Sequence, residues 1–160
     1  MRDSSVGDHG VSDIPMRLII AAVITSLSLP IFWGAYDSLS ENMTLSSVEG
    51  EIGELLRVVE DVMSGGTGST LDAEISFNSW GTSDIEYVKV GGPLENGNAS
   101  SLKIEYSISG VGTSFLSLDP PLRMCSSKGG SLFLQEGKHQ LRVVNRMFDG
   151  VPAAEVEKMD

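Results

Sequence analysis

The sequence predicts an α+β fold, in which a long N-terminal helix, first apolar and then amphipathic, precedes an antiparallel β-sandwich-like head. Three observations lead to this prediction. Residues 18–36 contain no charged side chain, residues 45–63 repeat apolar side chains at helical spacing, and from residue 71 apolar and polar side chains alternate between turn signals. We therefore expect the helix to end near residue 64, a linker at 65–70 and the head at 71–160.

The uncharged run between Arg17 and Asp37 is 19 residues long. As a helix it measures about 28 Å, close to the ~30 Å hydrocarbon thickness of a bilayer. Trp33 and Tyr36 lie near its C-terminal end, where amphipathic rings favour the membrane interface. We expect residues 17–36 to span a membrane. The alternative is a buried core helix of a soluble protein.

The residues on either side of this run predict its orientation in the membrane and whether it is removed from the mature protein. Residues 1–17 hold two arginines and three aspartates, so they lack the basic region of a secretory signal, and no typical small-residue cleavage site follows the run. Arg17 precedes the run directly and Asp37 follows it directly. Because basic residues favour the cytoplasmic side, we expect the N-terminus inside, the head outside and the apolar segment retained.

The next segment, residues 45–63, has an apolar seam with spacings of three and four residues. Such a seam is typical of an amphipathic helix that buries one face. We expect it to pack on the β head of its own chain or on neighbouring subunits, because the repeat is too short for an isolated coiled coil. The seam consists of Leu45, Val48, Ile52, Leu55, Val59 and Val62.

The head reads as six or seven short strands in a sandwich or curled meander. Glycine- and proline-rich turns separate them, and no helical pattern intervenes that could connect parallel strands. The tail, residues 149–160, is expected to add an edge strand through residues 153–156 or to be disordered. The other candidate strands are Leu71–Phe77, Ile85–Val90, Leu102–Ile108, Phe115–Leu118, Leu132–Leu134 and Leu141–Val144.

Composition argues against several classes of function. A net charge of −11 disfavours nucleic-acid binding, which needs a basic surface, and one cysteine and two histidines exclude disulfide frameworks and multi-cysteine zinc sites. No nucleophile, phosphate-loop or metalloprotease motif occurs, so we expect no enzyme, cofactor or metal. For His139 a structural role is favoured over a catalytic base. For Cys125 a buried thiol is favoured over a reactive one.

The order of a polar leader, an apolar helix, an amphipathic extension and a β head resembles an archaeal type IV pilin-like protein with a class III signal peptide. The local match is Asp8-His9-Gly10-Val11-Ser12-Asp13-Ile14-Pro15. The resemblance implies that a leader peptidase removes residues 1–10 by cutting between Gly10 and Val11, which leaves a mature helix over 11–64. In such a subunit we expect Asp13, Arg17 or the free amino terminus of Val11 to fix the register between subunits.

This resemblance implies a structural subunit of an extracellular filament, made first as a membrane precursor. Its partners would be copies of itself or related pilin subunits through the N-terminal helix, together with the membrane, the leader peptidase and the assembly machinery. One alternative is a single-pass membrane-anchored extracytoplasmic β-domain, either a minor pilin or a binding or assembly module, that does not polymerise. A soluble enzyme is the third hypothesis.

Two triplets match the acceptor pattern for N-glycosylation, Asn42-Met43-Thr44 and Asn98-Ala99-Ser100. The first follows the apolar run and the second lies in a region with hairpin turn signals. Both asparagines would be extracellular in the expected orientation. The sequence is compatible with glycosylation of at least one of these asparagines and also with an unmodified chain.

Overall fold

The computed structural model describes residues 13–92, 94–95, 98–99, 102–127, 130–148 and 150–159. It confirms the α+β fold, with one long N-terminal helix, α1, and two four-stranded sheets. Helix α1 covers Asp13–Ser64. The strands are β1 Thr70–Phe77, β2 Ile85–Val90, β3 Leu94–Glu95, β4 Asn98–Ala99, β5 Ile104–Ile108, β6 Gly112–Leu116, β7 Met124–Ser126, β8 Leu132–Leu134, β9 Gly137–Phe148 and β10 Val151–Met159.

The chain divides into two compact units, one ending at Ser38 and the other covering Leu39–Asp160. The amphipathic part of α1 therefore belongs to the same unit as the strands. Its predicted seam is buried from Val48 to Val62, and Leu45 is partly buried against the same core. This burial confirms that the seam packs on the chain's own β head.

Two sheets supply the rest of that core. Sheet A has the strand order β1-β9-β10-β7, and sheet B has the order β6-β5-β2-β8. Strands β3 and β4 form a separate two-stranded pair. The buried side chains of the sheets and of α1 form one apolar cluster, whose bulkiest members include Tyr106, Phe77, Ile52 and Leu55.

Strand β10 corrects the sequence prediction. The sequence predicts an edge strand or disorder at 153–156, but β10 lies inside sheet A, antiparallel to β9 and parallel to β7. Ala153, Ala154, Glu155 and Val156 are all buried. The strand therefore has no alternation of buried and exposed residues by which a period of two could identify it.

Strand β9 is twelve residues long, whereas the sequence predicts a strand only at 141–144. Its basic side chains pair with acids on the neighbouring strands: Arg142 Nε lies 2.8 Å from Asp72 Oδ1, Lys138 Nζ 3.8 Å from Glu74, and Arg146 Nε 2.5 Å from buried Glu155. Asp72 lies directly opposite Arg142 in the register, and the other two pairs are diagonal. Opposite charges within reach across a sheet stabilise the strand pairing.

Polar contacts join α1 to the strands and to the segment after β1. The Tyr106 hydroxyl donates to Glu49 Oε1 at 2.7 Å, and the Ser76 backbone N–H donates to Glu51 Oε2 at 3.0 Å. The Trp80 backbone N–H donates to Thr44 Oγ1 at 2.9 Å. Ser76 lies on β1, which is an edge strand of its sheet. The backbone N–H groups of an edge strand can pair with another chain, and the bond to Glu51 keeps the Ser76 N–H from such pairing.

Burial and the bond to Glu49 raise the pKa of Tyr106 to about 12 from 10.0. Below pH 10 the phenol is neutral in both the folded and the unfolded chain. Above pH 10 the unfolded chain loses the proton first, so the free energy of unfolding falls until the folded phenol ionises near pH 12. We expect Tyr106→Phe to lose about 1 kcal/mol at pH 7 but to unfold with a weaker pH dependence above pH 10.

Chemical unfolding at a series of alkaline pH values measures this effect. Tyr36→Phe, which removes a phenol outside the head, is the matched control. An unchanged slope of stability against pH in Tyr106→Phe would contradict the assignment.

Cys125 lies on β7 and is fully buried, as predicted. Burial, and next the nearby Glu155 carboxylate, raise the pKa of its thiol to about 11. His139 is also buried, and its Nε2 donates to the Gln135 carbonyl at 2.7 Å. This hydrogen bond gives the histidine a structural role. The ring centroids of His139 and Phe77 lie 6.2 Å apart.

Candidate functional site: an exposed apolar helix

The first part of α1 carries a large unburied apolar surface. Twelve large apolar side chains between Met16 and Tyr36 each have 47–74% of their surface exposed. Soluble monomers rarely expose a contiguous apolar patch of this extent. The residues are Met16, Leu18, Ile19, Ile20, Val23, Ile24, Leu27, Leu29, Ile31, Phe32, Trp33 and Tyr36.

This surface surrounds the helix rather than following one side of it. At about 100° per residue, Leu18, Ile19 and Ile20 alone point to three different sides. A helix that is apolar all round is typical of a membrane span or of the interior of a large assembly. The described part of the chain contains one helix long and apolar enough to cross a membrane, and this segment is its apolar part.

Two polar side chains of the segment, both serines, form hydrogen bonds within the helix. Ser26 Oγ donates to the Ala22 carbonyl at 2.7 Å, and Ser28 Oγ donates to the Ile24 carbonyl at 2.8 Å. Pro30 is accommodated inside the continuous helix. These serines therefore do not require water, and the segment is suited to a lipid or protein surrounding.

Aromatic residues mark the C-terminal end of the segment. The rings of Trp33 and Tyr36 meet edge to face at 6.3 Å between centroids. Together with Leu29 and Phe32 they line a shallow apolar depression on the helix surface. Asp37 follows at once, so apolar and charged surface meet within one residue.

The predicted register residues lie at the start of this helix, and the predicted cleavage residues precede them in the sequence. Gly10 and Val11 lie outside the described residues, and leader cleavage stays a prediction. Asp13 is the first residue of α1, and Arg17 is exposed one turn later. A role of this pair in setting the register between subunits also stays a prediction.

The two predicted glycosylation acceptors lie on different elements. Asn42 is exposed on α1, while Thr44 of the same triplet is 0% exposed and bonded to Trp80. Asn98 lies in β4, paired with Glu95, which confirms the hairpin there. Sequence reasoning missed Thr44 as a packing residue, although its position four residues before Val48 places it on the buried face.

An apolar N-terminal helix followed by β-sheets is consistent with a pilin-like architecture, and such a helix suggests membrane anchoring or secretion. The arrangement can hold a head at a membrane or pack against other helices. Comparison with known families, curated proteins and solved structures finds no match to this chain.

Proposed function

We propose that this chain is a structural subunit of an extracellular type IV pilus-like filament, which assembles through its N-terminal helix after the leader is removed between Gly10 and Val11. The observation that carries the proposal is the exposure of residues 16–36 on every side of α1, in a chain whose head has its own core. In a membrane this apolar surface would contact lipid. In a filament the same surface would contact the apolar helices of neighbouring subunits.

In this proposal the same apolar helix lies first in the membrane, in the precursor, and then in the core of the assembled filament. The precursor keeps the segment in the membrane, and assembly exchanges lipid contacts for contacts with the helices of other subunits. Arg17 and Asp13 would then leave water, and because burying charge is costly, opposite charges on a neighbouring subunit would stabilise one register over others. The role is structural, without catalysis, cofactor or nucleic acid.

The test is the mature N-terminus in surface filaments. We expect filaments purified from cells to contain this chain beginning at Val11, as read by mass spectrometry of the intact subunit. Gly10→Phe should retain residues 1–10 and stay in the membrane fraction, because the peptidase requires a small residue before the cut. Gly7→Phe, the same exchange three residues earlier, is the control and should be processed normally.

A chain that begins at Met1 or after residue 36 in filaments would overturn the proposal. A processed chain that is abundant in membranes and absent from filaments would instead favour the alternative, a membrane-anchored extracytoplasmic β-domain that does not polymerise. Recovery of the whole chain in the aqueous fraction without detergent would contradict both hypotheses.

A further inference from the structure

A row of four side chains crosses the whole outer face of sheet B. The register pairs Phe115 on β6 with Glu105 on β5, Glu105 with Lys89 on β2, and Lys89 with Phe133 on β8. Three strand spacings separate its ends, which is about 14 Å. We call these four residues the Phe115–Phe133 row.

Both ends of the row are exposed aromatic rings held in place by neighbours. Phe115 and Phe133 are each 61% exposed. Lys103 Nζ lies 4.1 Å above the centre of the Phe115 ring, and Tyr87 meets Phe133 edge to face at 6.1 Å. Ordered, exposed aromatic rings are enriched where proteins contact one another.

The row itself carries one charge of each sign, Glu105 and Lys89, although the chain as a whole carries −11. Near the row are Glu86, which accepts from the Ser107 hydroxyl, and Lys103, which lies over the Phe115 ring. Strong like charge makes most surfaces of two copies repel. Along the row the two charges are of opposite sign, which reduces this repulsion between two copies.

We propose that two copies of this chain pack face to face through the Phe115–Phe133 row. A two-fold axis along the strands, between β5 and β2, sets Glu105 of each copy against Lys89 of the other and Phe115 against Phe133. A two-fold axis along the row would instead set each charge against itself. The first arrangement is self-complementary and matches the aligned packing of two sheets about 10 Å apart.

The contact uses sheet B and not the apolar helix, so it goes beyond the proposed function and can fail independently of it. Four short strands offer a small area, and a weak contact is expected in dilute solution. Attachment of heads to one membrane or one filament would raise their effective concentration and make such a contact significant.

Charge reversal in the full chain tests the arrangement. In detergent, with micelles in excess over chains, we expect concentration-dependent dimers by sedimentation equilibrium. Glu105→Lys and Lys89→Glu should each weaken self-association by about tenfold or more, because each sets like charges against each other across the axis. Mixing the two variants should restore dimers, because the lysine introduced in one variant then faces the glutamate introduced in the other. Lys138→Glu, the same charge change on sheet A, is the control.

Phe115→Ser with Phe133→Ser supplies a second variant, which should also lose dimers without adding charge. Far-ultraviolet circular dichroism checks that every variant folds. Dimers unaffected by single charge reversal, no recovery on mixing, or a wild-type chain that stays monomeric at every concentration would each overturn the proposal. None of these outcomes bears on leader cleavage or filament assembly.

Discussion

Replacing Gly91 by alanine is expected to lower the free energy of unfolding by about 3 kcal/mol, because two costs add at this position. Gly91 is buried with φ of +74°, a conformation that L side chains rarely adopt. A Cβ there would lie 2.9 Å from the Cα, 3.0 Å from the carbonyl carbon and 3.2 Å from the nitrogen of Cys125. These are backbone atoms of β7 and cannot move aside as a side-chain end would.

Gly50→Ala is the matched control, because Gly50 is exposed on α1 and a Cβ there meets nothing within 4 Å. We expect that variant to gain about 1 kcal/mol from the higher helix propensity of alanine. Chemical unfolding gives both values. The accessibility of the Cys125 thiol to a thiol reagent gives an independent reading, since displaced β7 should expose it. Equal stability of the two variants would contradict the argument.

A charge at the middle of the apolar segment is expected to abolish membrane retention. Leu27 lies at the centre of residues 18–36 and is 69% exposed. An aspartate at the centre of a membrane span costs about 3 kcal/mol, or roughly a 150-fold shift in partitioning. The segment already contains Thr25, two serines and Pro30, which weaken its insertion into a membrane. Little favourable insertion free energy is therefore left to offset the cost of the aspartate.

Leu39→Asp makes the same exchange on the same helix, beyond Asp37, where charged residues already occur, and should leave retention unchanged. Washed membranes, probed for the chain in pellet and supernatant, distinguish the two variants. If Leu27→Asp stays in the membrane pellet and enters filaments like the wild type, the segment is neither a span nor a filament-core helix.

The helix could be predicted because its signals are local. The absence of charge from residue 18 to 36 and the seam from Val48 to Val62 are both visible within a few turns of sequence, and the structure buries that seam as predicted. The exposure of the apolar segment could likewise be expected, since residues 18–36 carry no charge and are apolar on more than one side of a helix.

The strand arrangement could not be predicted in the same way. Strand β7 has only three residues, all buried, and its partner β10 begins at Val151, 25 residues after β7 ends at Ser126. Such a pairing is set by packing between distant segments and not by any local period. The same limit applies to Glu49 and Glu51, whose bonds to Tyr106 and Ser76 exist only once α1 and the strands are together.

The position of β10 also dictates an order of assembly. Among the described strands of sheet A, β7 is joined only to β10, so residues 124–126 have no strand partner there until residues 151–159 are in place. Because the chain is synthesised from its N-terminus, sheet A remains incomplete until β10, the last of its four strands along the sequence, is available. A chain that ends before residue 151 would therefore lack the strand that joins β7 to β9.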